Sequence, residues 1–204
     1  MNKPEILNTI KKRILEAEEG SVFVAADFAD VAENIKIVIS LCRLEEEGII
    51  RRLIRGVYER PAYNEFLGEH VAPSPDKVAH ALARNFGWTI VPCGDTALNL
   101  LGLSTQVPAV WLYVSDGTYK EYSYENITIK FKRTTNKEIS KLSPKTALVI
   151  QALKALGKEN VTSEVIEKIR EVTTEEEKAA MLAEAKYATS WIYDLIKNVC
   201  GGTK

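Results

Sequence analysis

Apolar positions in the stretch Asn34 to Pro61, NIKIVISLCRLEEEGIIRRLIRGVYERP, fall at Ile37, Leu41 and Leu44, the spacing of one helical face. Gly48 ends that pattern, and a short ribbon follows in which Arg51, Arg52 and Arg55 bracket Gly56. Upstream, PEILNTIKKRILEAE sets Leu7, Ile10 and Ile14 on one stripe and predicts a first helix closed by Gly20. Ser21 to Val24 reads as a strand, and AADFADVA as a two-turn helix burying Phe28 and Val31. Glu33-Asn34 then turns the chain into the long helix, with Asn34 as its N-cap. Helix, short helix, turn, long helix and ribbon make the order of a winged helix-turn-helix over residues 1–62.

The apolar pattern lapses over AYNEFLGEHVAPSP, residues 62–75, which reads as a linker into a second domain spanning 73–204. Ser74-Pro75 would open a helix with Val78, Leu82 and Phe86 inward. Trp88 to Val91 reads as a strand and CGDTALNLLGL as a short helix ended by Gly102. In QVPAVWLYVSDGTYKEYSY, two β-rich runs flank Asp116-Gly117, which predicts a tight hairpin. NITIKFKR alternates, Ile127, Ile129 and Phe131 on one face and Thr128, Lys130 and Lys132 on the other. From about residue 144 the pattern is helical. The expected fold is α+β: a winged helix-turn-helix, then a mixed domain with a small antiparallel sheet and C-terminal helices.

Composition changes this picture little: 46% hydrophobic and 27% charged residues are ordinary for a folded soluble chain. Charge changes it more. The net charge of -1 conceals residues 51–60, with four Arg against one Glu, and an acidic stretch over 158–186 that reads as a solvated face. Cys42, Cys93 and Cys200 are far apart and lack CxxC spacing, so neither a disulfide framework nor a zinc site is indicated, and a reducing cytoplasm is expected. No run approaches the roughly 18 apolar residues that span a bilayer, so no membrane segment is expected.

The outward face of the long helix would carry Ile35, Ile39 and Cys42, flanked by Lys36 and Arg43. Such a face suits thymine methyls backed by two cations, or a protein partner. Three guanidinium groups at Arg51, Arg52 and Arg55 suit phosphates. Lys130, Lys132 and Arg133 form a second basic set, either an extended anion footprint or a plain solvent face. No Walker loop, GxGxxG, HExxH or GxSxG is present, so no enzyme, cofactor or metal is expected. His70 and His80 read as ordinary histidines, and Cys93, at the start of a helix, as a buried structural thiol rather than a reactive one. Trp111, Tyr113, Tyr119, Tyr122 and Tyr124 read as sheet residues before base-stacking ones.

On the runs LCRLEEEGIIRRLIRGVYERP, ALNLLGLSTQVPAVWLYVS, and ITIKFKR through SPKTALVIQALKAL, the chain resembles the AbiEi-like antitoxins of type IV, abortive-infection toxin-antitoxin systems, over about residues 5–157. The resemblance implies a two-domain autorepressor whose winged helix binds double-stranded operator DNA. It also implies a second domain that counteracts a nucleotidyltransferase-like toxin without a stable complex; the choice between a monomer and a weak dimer stays open at the level of sequence. Carried onto this chain, the operator-reading positions are Lys36, Ile39 and Arg43, opened by Asn34, with Arg51, Arg52 and Arg55 on the wing. Lys130 and Lys132, beside Arg133, fall on a basic face of the second domain. The acidic, helical tail after residue 158 matches no motif of that family.

Overall fold

A computed structural model describes residues 3–66, 68–134, 139 and 141–201, which pack as two units. The first runs from the N-terminal helix to Trp88 and includes Ser123–Asn126; the second holds Thr89–Tyr122 and the chain from Ile127 on.

In the first unit, α1 (Lys3–Glu16) buries Ile6, Ile10 and Ile14 against the Ile37, Leu41 and Leu44 stripe of α2 (Asn34–Glu46). Gly48 sits at φ +72, a left-handed position that glycine takes without strain, and it releases the chain into β2 (Arg51–Ile54). Strand β3 (Val57–Glu59) lies between β2 and β1 (Val22–Val24), antiparallel to both. The β2–β3 ribbon is bulged: Ile54 opposes Val57, but Arg52 opposes Tyr58 and Arg51 opposes Glu59, so Leu53 is the extra residue.

Three expectations change here. Asn34 is the first residue of α2 and not its cap; the N-cap is Glu33, whose side chain makes no capping bond. The anticipated two-turn helix is a four-residue 3-10 turn, Ala25–Phe28, because the Asp27 carboxylate reaches back to the Val24 N–H at 2.9 Å. The expected linker contains a two-stranded ribbon, β4 (Ala62–Asn64) with β5 (Glu69–Val71). Beyond it α3 (Pro75–Phe86) packs in the first unit: Arg84 bonds Asp27 at 2.7 Å and the Val22 carbonyl at 3.0 Å.

The second unit has a four-stranded sheet ordered β6 (Ile90–Pro92), β7 (Val110–Ser115), β9 (Ile127–Arg133), β8 (Lys120–Tyr124). The sheet is mixed rather than antiparallel, because β7 and β9 run parallel, from Val110 opposite Thr128 to Ser115 opposite Arg133. Asp116-Gly117 therefore joins strands that are not neighbours, and no β7–β8 hairpin forms. Both edges of β7 are occupied, by β6 and β9, and the Asp116 carboxylate accepts the Thr89 N–H at 2.9 Å. The two-residue turn lies instead at Glu125-Asn126, between β8 and β9, where Glu125 takes φ +49. Alternation in β9 buries Ile129 and Phe131 and turns Lys132 outward.

Helices α4 (Asp95–Leu100), α5 (Pro144–Leu156), α6 (Ser163–Glu171), α7 (Glu175–Glu184) and α8 (Ser190–Cys200) enclose a core of Val149, Leu153, Ile169, Met181, Ile192 and Ile196. Thr174 caps α7 reciprocally with Glu177, as its sequence position before a glutamate run suggests. No helix among the described residues is long and apolar enough to cross a membrane. Truncating the fully buried Leu153 to Ala should lower stability by about 2–5 kcal/mol, read as a lower midpoint in denaturant unfolding.

Candidate nucleic-acid interface

Helix α2 buries one stripe and leaves the other to solvent. Lys36, Ile39 and Arg43 are all exposed there, and Asn34 is exposed at its first turn. Lys36 lies 3.4 Å from Glu33, a solvent-screened pair one turn back that leaves the lysine accessible. The same side carries Ile35, 69% exposed, Ile39, 48%, and Val38, 41%, whereas Cys42, expected on that face, is half-buried with its Sγ 3.8 Å from the Tyr58 hydroxyl.

The three arginines of the ribbon diverge. Arg52 and Arg55 are exposed and take part in no ion pair among the described residues. Arg51 is turned inward. Its Nε donates to Glu59 Oε1 and its Nη1 lies 3.5 Å from Glu125 Oε1. The Glu59 side chain has no solvent exposure. Arg51 Nη2, Glu59 Oε2 and the Tyr124 hydroxyl are buried without a hydrogen-bond partner among the described residues. Burial raises the Glu59 pKa despite the opposing pull of Arg51, and drives the Tyr124 hydroxyl up as well, with Glu125 and Glu59 adding to it.

The bulge at Leu53 decides which arginine is neutralised. With Ile54 opposite Val57, an unbulged ribbon would carry Arg52 opposite Glu59; the extra residue substitutes Arg51 and leaves Arg52 to solvent. Sequence reading grouped the three arginines and missed Glu59, Tyr124 and Glu125 as their setting. The available signal was one acid, Glu59, in an otherwise cationic ribbon.

In the second unit Lys130 is paired with Glu121 at 3.1 Å, and that hydrogen bond raises its pKa, while Lys132 and Arg133 are exposed. Trp111, Tyr113 and Tyr124 are buried and offer no face to a base, whereas Tyr119 is exposed. Cys93 is buried, and burial pushes its thiol up to about 11, so at neutral pH it is not a thiolate nucleophile. His80 lies 3.7 Å from Asp76, and His70 stands edge-on to Tyr63 on the β4–β5 ribbon. No group of three or more metal-ligating side chains occurs among the described residues.

Fold and site define an α+β protein of two units with an exposed helix face followed by a cationic bulged ribbon. Residues 9–181 match DUF6088, a family of unknown function, and the chain belongs to that family. A comparison with curated proteins gave no match.

Arg51→Ala should cost about 2 kcal/mol or more by stranding the buried Glu59 charge, somewhat less than for a fully buried pair because Arg51 is 38% exposed. Arg52→Ala should stay within about 0.5 kcal/mol of wild type; urea titrations of the two variants separate these roles. The Glu59 carboxyl binds its proton more tightly folded than unfolded, so its contribution to stability is full below the ordinary carboxylate pKa and is lost as pH rises through the raised one. Measured against Glu59→Gln, wild type should therefore gain stability on acidification across that window. A difference between the two proteins that does not change with pH would refute this assignment.

Proposed function

We propose that the chain is a DNA-binding transcriptional autorepressor and antitoxin of a type IV toxin-antitoxin system, with the first unit acting as a winged helix-turn-helix. The observation that carries the DNA reading is the pair of solvent-facing guanidinium groups, Arg52 and Arg55, in no ion pair among the described residues, on a ribbon directly after a helix with exposed Lys36, Ile39 and Arg43. Helix α2 enters the major groove, its isoleucines meet thymine methyls, and Lys36 and Arg43 contact phosphates or base edges. Arg52 and Arg55 hold the backbone, and Arg51 acts behind them as the strut that keeps the ribbon in register. Lys132 and Arg133 remain a secondary basic face.

The antitoxin half rests on the resemblance to AbiEi-like proteins and on no residue described above. It is tested by co-expressing the chain with a neighbouring nucleotidyltransferase-like toxin gene: rescue of growth supports it, and unrelieved toxicity removes it. A second reading follows from the exposure of Ile35, Val38 and Ile39, which equally suits a protein contact such as a dimer seam.

Arg52→Ala with Arg55→Ala should weaken binding to selected and random duplexes alike and make the slope of log K against log salt shallower by about 2. Ile39→Asp should abolish selective binding while leaving the sedimentation coefficient unchanged. Loss of a dimer with DNA binding intact would install the protein-contact reading in its place.

A further inference from the structure

The second unit contains a cleft of about 830 Å³ between the segment leading into α5, α5 itself and the α7–α8 connection. Its floor is apolar, from Leu142 and the buried Ile150. Its walls are cationic: Lys141, Lys154 and Lys186 all line it and are exposed. Among the lining residues the acid is Glu184, and its Oε2 is already engaged, accepting from the Ser143 N–H and Oγ at 2.8 Å each. Neither Lys141 nor Lys186 is in an ion pair with a described residue.

Two further features converge on the same opening. The cleft reaches Thr189, the N-cap of the 11-residue helix α8, whose side chain makes no capping bond. The Ser190 and Trp191 amides of that first turn have no intrahelical acceptor, so the positive end of the helix opens beside the lysines. At the rim stands Tyr187, 86% exposed, with the Lys186 ammonium 5.2 Å from its ring centroid. An aromatic ring held out to water next to a cationic helix start is a stacking platform adjoining an anion site.

We infer that this cleft binds a nucleoside polyphosphate, its phosphates against Lys141, Lys186 and the start of α8 and its base against Tyr187. The volume falls within the range of small-ligand sites, roughly 300–1,000 Å³. The apolar floor gives the ribose and base a surface that a bare polyanion would not use. The site is independent of α2 and the arginine ribbon, and it stands or falls separately from DNA binding.

The test is calorimetric titration of the full chain with ATP, tripolyphosphate and adenosine. ATP should bind more tightly than either fragment. Lys141→Gln with Lys186→Gln should weaken ATP by about tenfold or more. Tyr187→Ala should weaken ATP about tenfold while leaving tripolyphosphate unchanged. All three side chains are exposed, so thermal unfolding midpoints should match wild type, which keeps a folding defect apart from a binding one. No heat of ATP binding at millimolar concentration, or unchanged affinity in the lysine variant, overturns the site. Equal affinity for tripolyphosphate and ATP, with Tyr187→Ala silent, overturns the nucleoside half.

Discussion

A carboxylate shut off from water on the middle strand of a three-stranded sheet constrains everything around it. Glu59 ends β3, between β1 and β2, and ionised it carries a desolvation cost of several kcal/mol unless a cation meets it. Arg51 is that cation. Their pairing sits in one polar cluster with Glu125 and Tyr124, in which Arg51 Nη2, Glu59 Oε2 and the Tyr124 hydroxyl are buried without a hydrogen-bond partner among the described residues. The bulge selects which arginine meets that charge, since the unbulged register would set Arg52 rather than Arg51 opposite Glu59.

That constraint divides the labour among neighbouring arginines. One is committed to the interior, and the bulge turns the next toward solvent, with Arg55 beyond it at the tip. For the proposed phosphate contacts, a ribbon with one arginine already held in place loses less side-chain freedom on contact than one bearing three loose arginines. The proposed cleft in the second unit follows similar physics with lysines: the Glu184 carboxylate is spent on the start of α5, and Lys141 and Lys186 are in no ion pair among the described residues.

Much of the first unit was legible because its signals are local. The Ile37, Leu41, Leu44 stripe, the stop at Gly48 and the ribbon about Gly56 all follow from spacing and backbone freedom. In the second unit the alternation in β9 was readable for the same reason. What could not be read depends on partners distant in sequence. Asp116-Gly117 has the composition of a hairpin turn, yet β9, more than ten residues on, takes the edge of β7 that β8 would have needed. Helix α3 carries its own clear amphipathic pattern, but pattern alone does not say which core it faces, and Arg84 commits it to Asp27 and Val22. Likewise the equivalence of Arg51 and Arg52 in sequence is broken only by a bulge and by an acid eight positions away.

Ser123–Asn126, the end of β8 and the turn after it, belongs to the first unit, while the start of β8 and all of β9 belong to the second. During synthesis, the helices and ribbon of the first unit emerge well before the residues that complete their polar cluster. Until Asn126 has cleared the ribosome, Arg51 and Glu59 face one another without Glu125 or Tyr124. The N-terminal portion is therefore finished only by chain made later, and its maturation is timed by the unit that follows it.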